Sequence, residues 1–313
     1  MKKIFCMMLI FSVMMLTLPL LSVKNQTDDT AIQTVAKITD KKIKKSDSFK
    51  VLLADGKTIE KISCEDYIFG VVAAEMPALY ETEALKAQAV AAYSFAIRRK
   101  AQNSDKDYDI SADSTKDQSY ISREEVREKW GESANEYEEK IQTAVKSVLK
   151  KTVNYKGEIA MTPYHAISSG KTEKAEAVWG GEFPYLTSAD SVCDKLSPNY
   201  LSEVSFSFDE IKNLLGNEYD FSSGDIKTDK TDVGTVKSLS VSGKEISGED
   251  IREKLSLRSA NFTVKTEENT VIFEVKGYGH GVGMSQYGAD YMAKQGADYI
   301  EILKHYYKGV TVK

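Results

Sequence analysis

The chain has 313 residues, with 42 Lys and Arg against 47 Asp and Glu, a net charge of −5 and 42% hydrophobic residues. That length accommodates a real core in one large domain or two, and the acidic balance argues against nucleic acid as the principal partner. The three cysteines, Cys6, Cys64 and Cys193, are too few for a disulfide framework, and Cys64 and Cys193 are expected as free thiols.

Lys2 and Lys3 precede a charge-free run from Ile4 to Val23, without a clear small-x-small cleavage site after it. Such a run is long enough to span a bilayer, and the two lysines hold the N-terminus inside. Residues 1–23 are therefore expected to be an uncleaved single-pass anchor in the cell membrane, with the rest of the chain outside. Residues 24–48 are polar and read as a tether to a domain at 49–313. The five lysines from Lys37 to Lys45 suit either a solvated linker or contact with anionic head groups or wall polymers.

The domain opens with FKVLLADGKTIEKIS, where Asp55-Gly56 between alternating apolar positions predicts a hairpin. The hairpin leads into Glu65–Lys100, which reads as two helices broken by Pro77. Ser63 and Asp66 make a capping-box-like start near Glu65, and Pro77 drives Met76 out of the α region, ending the first helix close to Glu75. The second helix is expected from a Thr82 cap to Arg99, with Leu85, Ala89, Ala92 and Ala96 as its core face. A carboxyl at a helix C-terminus faces the negative end of the dipole, and Val71, Val72, Ala73, Ala74 and Met76 would desolvate it. Both effects raise the pKa of Glu75, as a general acid requires. A solvated surface glutamate is the other reading of that position from physics alone.

After a polar loop, Ser122 with Glu125 and Ser133 with Glu136 predict helices near 123–130 and 134–150, the second with a core stripe of Tyr137, Ile141, Ala144 and Val148. A hairpin follows, with strands at 152–155 and 159–164 and a turn at Lys156-Gly157. It ends in a polar, aromatic segment, YHAISSGKTEKAEAVWGGEFPYL. One imidazole, His165, cannot make a structural zinc site, which needs four ligands, so no metal is expected. A hydrogen-bonded structural histidine is the plain alternative. Residues 199–258 read as a smaller α/β insertion, with a helix at Phe206–Leu215, a strand in TVKSLSVSG and a helix opened by Ser247; two further strands follow. Glycines then alternate at 277, 279, 281 and 283 before a helix from about Ser285. Such a loop can approach a ligand closely and bind anions at the helix N-terminus, or it is a plain tight turn. It lacks the GK[ST] ending and the G-x-G-x-x-G pattern of nucleotide loops, and no cofactor is expected. The whole reads as an α+β fold, mixed helices and antiparallel hairpins around a cleft, with a smaller α/β insertion, behind an N-terminal transmembrane anchor.

Three of these stretches resemble the stage II sporulation protein D and amidase-enhancer family: EDYIFGVVAAEMP…EALKAQAVAAYSFAIR, the segment from His165 to Leu186, and GHGVGMSQYGA with HYYKGVTV at the C-terminus. The resemblance implies a peptidoglycan lytic transglycosylase with Glu75 as catalytic acid. It implies substrate-binding roles for Tyr93, His165, Ser168, Lys171, Tyr185, His280 and Gln286. The implied setting is engulfment of the forespore, with glycan strands as substrate and an amidase and other membrane-bound proteins as partners. Some relatives bind zinc through His and Cys in the middle segment, whereas here no cysteine occurs before Cys193. Tyr93 stands where many relatives carry Arg; if that Arg binds glycan in them, either Tyr93 does so here by stacking or another residue substitutes, and Thr187 stands where relatives often carry Lys.

Ordinary glycosidases need two carboxylates. A transglycosylase can work with one, because the muramic C6 hydroxyl supplies an intramolecular nucleophile; Glu173 and Glu176 are the other carboxylates to consider. Two rivals are a non-catalytic glycan-binding amidase enhancer and a serine hydrolase using Ser285, His280 and Asp290. The latter lacks the G-x-S-x-G pattern.

Overall fold

In the computed structural model, which describes residues 45–313, the turn at Asp55-Gly56 folds β1 (Ser48–Leu52) antiparallel onto β2 (Ile59–Ser63). The Asp55 carboxylate accepts the Lys57 and Thr58 amides at 2.8 Å each, the Asx bonding that favours Asp in turns. The expected anchor, most of the tether and Cys6 lie outside the described residues.

Helix α1 (Cys64–Glu75) starts directly after β2, with the Ser63 hydroxyl accepting the Asp66 amide at 3.1 Å. It stops at Glu75 because Met76, ahead of Pro77, is extended at φ −122° and ψ 144°. Helix α2 (Thr82–Gln102) runs longer than expected and has Glu81, not Thr82, at its cap position. No side chain caps it locally. Instead the Glu81 amide is taken by Asp290, 209 positions away, at 2.8 Å. The expected single core face is also too modest: Ala84, Leu85, Ala87, Gln88 and the run Ala89–Ser94 are all buried. A helix buried all round is a core helix, and the alanines let neighbouring elements approach it closely.

Strand β3 (Ile110–Ser111) lies parallel beside β1. Ser122 and Glu125 complete the expected capping box of α3 (Arg123–Trp130). Ser133 does not cap α4 (Ala134–Val148), because a 3-10 turn at Gly131–Ser133 already holds it in helical conformation with ψ −1°. Strands β4 (Val153–Tyr155) and β5 (Glu158–Ile159) form the second hairpin, turning through positive φ at Lys156 and Gly157. The chain continues through β6 (Tyr164–His165) and α5 (Ala175–Trp179).

The smaller unit comprises β7 (Leu201–Ser207), α6 (Phe208–Leu215), β8 (Ile226–Lys230), β9 (Val236–Val241), β10 (Lys244–Ser247), α7 (Gly248–Lys254), β11 (Phe262–Glu267) and β12 (Thr270–Lys276). Two antiparallel sheets, β10-β9-β8 and β11-β12-β7, enclose a core of their own that includes Leu239, Ile251, Phe262 and Phe273. The unit therefore closes at Lys276, not near residue 258, because β7 pairs with β12 along its full length. Phe206 lies within that strand instead of opening a helix, since Ser207, the strand's last residue, forms a capping box with Glu210 and the helix begins at Phe208.

The chain then returns to the larger core through β13 (Met284–Ser285), parallel to β6, and through α8 (Gln286–Lys294) and α9 (Tyr299–Tyr306). The last strand, β14 (Thr311–Val312), pairs with β4. Helices α1, α4, α8 and α9 all pack on α2. The result is an α+β fold with one core centred on α2 and a second in the smaller unit.

Candidate active site

Glu75 is the last residue of α1, half-buried where the chain breaks at Met76. The Ser119 amide donates to its Oε1 at 2.9 Å, and the Ser119 hydroxyl and the Gln286 amide lie close enough to favour the ionised carboxyl. Burial raises the Glu75 pKa above the usual glutamate value, outweighing those donors, which favour the ionised form. Charged side chains do not figure among the described groups that set its protonation.

The surroundings are neutral and polar. Gln118 is buried, donating to the Tyr67 hydroxyl at 3.1 Å and accepting from the Tyr164 hydroxyl at 2.9 Å. Burial, with Glu75 nearby, pushes both phenols well above their ordinary range, so they stay protonated donors. The loop carrying Gln118 and Ser119 is pinned by Asp117, which pairs with Arg99 and accepts the Ser111 amide. Sequence reasoning passed over Gln118 and Ser119. They end a polar loop with no periodicity, and nothing local marks them.

The glycine loop has φ of +78°, +107°, +78° and +77° at Gly277, Gly279, Gly281 and Gly283, a region glycine enters at no steric cost. It approaches its own chain. A Cβ at Gly283 would lie 2.0 Å from the Pro163 carbonyl oxygen, and one at Gly279 would lie 2.8 Å from His165 Cβ. Backbone bonds between Ile167 and Tyr278, and from Glu173 to Gly281, hold the two segments together.

This docking gathers His165, His280 and Trp179. The His165 and His280 rings are 5.8 Å apart, and Trp179 lies 5.0 Å from His280. His165 donates from Nδ1 to the Val282 carbonyl, and the Val282 amide donates to Nδ1 of His280, both at 3.1 Å. Burial lowers the imidazole pKa to about 4 for His165 and about 3 for His280, so both are neutral near neutral pH. His280 also hydrogen-bonds the backbone of Tyr164, whose phenol belongs to the Glu75 surroundings. The histidine pair thus braces β6, the strand that carries Tyr164.

Of the other expected binding residues, Gln286 alone reaches Glu75. Ser168, Lys171 and His280 meet at a cavity of about 20 Å³ between the two units, room for a water-sized group and not a sugar. Ser168 faces inward, its amide on Asp194 at 2.7 Å, and Lys171 pairs with Asp190 at 3.3 Å. Two expectations are corrected. Tyr93 is 1% exposed, its ring edge-on to Phe49 and its hydroxyl on the Ser46 backbone, so it has no face on which a sugar can stack. Tyr185 is likewise buried, its ring against Tyr155 and its hydroxyl accepting the Met161 amide at 2.8 Å. Their rings were placed by packing around α2, which no short motif encodes. Tyr93→Phe is accordingly expected to leave any glycan turnover unchanged and to lower stability by about 1–2 kcal/mol, the contribution of the two hydrogen bonds its hydroxyl makes with the Ser46 backbone. Steady-state kinetics beside urea unfolding check it; a raised KM at unchanged stability would restore the stacking role.

The serine-hydrolase constellation is not assembled. The Ser285 hydroxyl caps α8 by accepting the Gly288 amide at 3.1 Å, and Asp290 is engaged by Glu81 and Lys294. Glu173 accepts the Thr231 hydroxyl of the smaller unit at 2.6 Å. Among the described residues, no three His, Cys, Asp or Glu side chains gather as a metal site.

The family model described as Stage II sporulation protein matches residues 54–155, a span that holds Glu75, α2 and Ser119. Stage II sporulation protein D of Bacillus amyloliquefaciens is 40% identical over 270 residues, covering 85% of this chain and 78% of that protein. The protein of the same name from Bacillus subtilis is 40% identical over 269 residues, with the same coverage. A Bacillus subtilis protein named amidase enhancer is 27% identical over 78% of this chain and 40% of its own length. With this identity extending well beyond the helix pair to most of the described fold, the chain belongs to the stage II sporulation protein D family.

Proposed function

We propose that this chain is a membrane-anchored peptidoglycan lytic transglycosylase acting in sporulation, with Glu75 as its general acid. The observation that carries the reading is a solitary carboxyl whose pKa is raised by burial and which is held by neutral donors. Protonated Glu75 gives its proton to the oxygen bridging N-acetylmuramic acid C1 and the next N-acetylglucosamine. The C1–O bond breaks as the muramic C6 hydroxyl closes on C1, forming a 1,6-anhydro end. The C6 proton returns to the Glu75 carboxylate, so one carboxyl completes the cycle. Ring closure gains the high effective molarity of an intramolecular attack, and no second carboxylate is required to activate water.

A second reading is favoured by one relative's name, amidase enhancer: a glycan-binding protein that assists an amidase without cleaving. In either case the partners would be glycan strands, an amidase and other membrane-bound engulfment proteins, met outside the membrane that residues 1–23 anchor. Mass analysis of glycan strands after incubation with the full chain separates the readings. Products ending in 1,6-anhydromuramic acid, one water lighter than reducing ends, are expected. Reducing ends would mean a hydrolase, and intact strands that nonetheless bind the protein would mean the enhancer.

A further inference from the structure

We propose that the Ser119 main-chain amide, held against Glu75 by the Gln118 side chain, leaves the acid proton on Oε2 and so fixes the side of the carboxyl from which a glycan is protonated, an inference that rests on Glu75 being the general acid. That amide donates to Glu75 Oε1 at 2.9 Å. A main-chain N–H can only donate, so the oxygen it meets must accept. In a protonated carboxyl the better acceptor is the carbonyl oxygen, because the hydroxyl oxygen shares a lone pair with the carbonyl group and already carries a proton. Oε1 is therefore the carbonyl and Oε2 the hydroxyl. The Ser119 hydroxyl and the Gln286 amide do not decide this, since each has a donor and an acceptor and can turn either to the carboxyl.

The amide imposes this choice only where it is held still, and the chain is fixed on both sides of it. Gln118 is 2% exposed, with its side-chain amide bonded to three elements. It donates to the Tyr67 hydroxyl of α1 at 3.1 Å and to the Ala92 carbonyl of α2 at 3.4 Å, and accepts from the Tyr164 hydroxyl of β6 at 2.9 Å. The Ala92 carbonyl cannot donate, so turning the Gln118 amide over would set two oxygens against each other; its orientation is determined. One residue earlier, Asp117 is paired with Arg99 and accepts the Ser111 amide at 2.8 Å. One residue after Ser119, the Tyr120 ring stacks on Tyr67 with 5.6 Å between centroids. Gly70 of α1 permits that approach, since a Cβ there would lie 2.5 Å from the Tyr120 ring and 2.4 Å from the Ile121 carbonyl oxygen. Residues 117–121 are thus strapped along the helix that ends in Glu75.

In the proposed reaction the Oε2–H bond breaks as the bridging oxygen takes the proton, and the electron pair stays on the carboxyl. Oε1 then gains negative charge, and a hydrogen bond to a charged acceptor is roughly twice as strong as one to a neutral acceptor. The Ser119 amide binds the carboxyl more tightly as the proton leaves, which is the sense that lowers a barrier. The glycan accordingly meets the carboxyl on the side away from the Gln118–Ser119 strap.

The direct test replaces the Gln118–Ser119 peptide bond by an ester, with the α-hydroxy acid of serine incorporated at position 119. This removes the N–H and keeps the side chain. At acidic pH the C=O stretch of protonated Glu75, assigned in the infrared spectrum by its loss in Glu75→Gln, should move to higher frequency, because its hydrogen bond is gone. kcat is expected to fall roughly 10–100-fold with KM nearly unchanged, as for loss of one donor to a charged group. Gln118→Met keeps length and bulk, needs no altered backbone and releases the strap. It should move the same band in the same direction and lower kcat on the order of 10-fold. An unshifted band in the ester would put the carbonyl at Oε2 and overturn the proposal. An unshifted band in Gln118→Met, or a loss confined to KM or to melting temperature, would overturn the positioning role of Gln118. The spectra need no turnover, so a wild type that forms no anhydro ends would sink the transglycosylase reading while the band still decides where the proton sits.

Discussion

Glu75→Gln is expected to reduce turnover of glycan strands by at least ~10²–10⁴-fold, the range that general-acid catalysis contributes. The amide keeps the size of the side chain and can still meet Ser119 and Gln286, so glycan binding should persist; what it lacks is a proton to give. Under the proposed mechanism the protonated form is the competent one in the wild type. Because burial raises the Glu75 pKa, activity should be retained at low pH and fall as pH rises through that raised value. Stability follows the same sign. The stability tied to a raised carboxyl pKa is fully present below the unfolded value and is lost as pH rises through the folded one. Glu75→Gln never ionises, so its melting temperature should exceed that of wild type at alkaline pH and converge with it at acidic pH. A variant that is both inactive and unfolded would show neither pattern. Full activity in Glu75→Gln would remove Glu75 as the general acid and move the chemistry to another group, with Glu173 and Glu176 the carboxylates to test next.

Gly283→Ala is expected to be among the most damaging single changes in the glycine loop. Two costs coincide there. The residue sits at φ +77°, which an alanine enters only with strain, and its Cβ would be 2.0 Å from the Pro163 carbonyl oxygen. That carbonyl cannot easily withdraw, because it accepts the Met284 amide at 3.1 Å and the Tyr307 hydroxyl at 2.8 Å. Left-handed strain together with overpacking should destabilise by about 2–4 kcal/mol, read as a lowered urea midpoint at constant m. Gly56 is the control: its φ is +68° but nothing lies within 4 Å of an added Cβ. Gly56→Ala should then cost about 1–2 kcal/mol, the conformational cost alone. Equal losses at the two positions would mean that close approach to Pro163 contributes nothing. Since Gly283 leads into β13 and on to Gln286, surviving Gly283→Ala protein should also turn over more slowly.

The sequence by itself determined what depends on neighbours within a few positions. Pro77 excludes Met76 from the α region, so α1 had to end at Glu75. Asp55-Gly56, the Ser122–Glu125 box and the helix start near Ser285 were legible for the same reason, because each is a local steric or hydrogen-bond rule. The family was legible too, from three ordered stretches. The tertiary structure decided which side of a helix meets what. Composition could mark one small-residue face of α2, but only the surrounding elements buried it all round, drawing Tyr93 into the core and away from any glycan. The partners of Glu75 come from positions 119 and 286, and Gln118 was one more loop residue until Tyr67 and Tyr164 closed on it. The smaller unit closed at Lys276 because β7 found β12 more than sixty residues later. Pairings at such separations are fixed by burial and shape over the whole core, and periodicity in a short window carries no record of them.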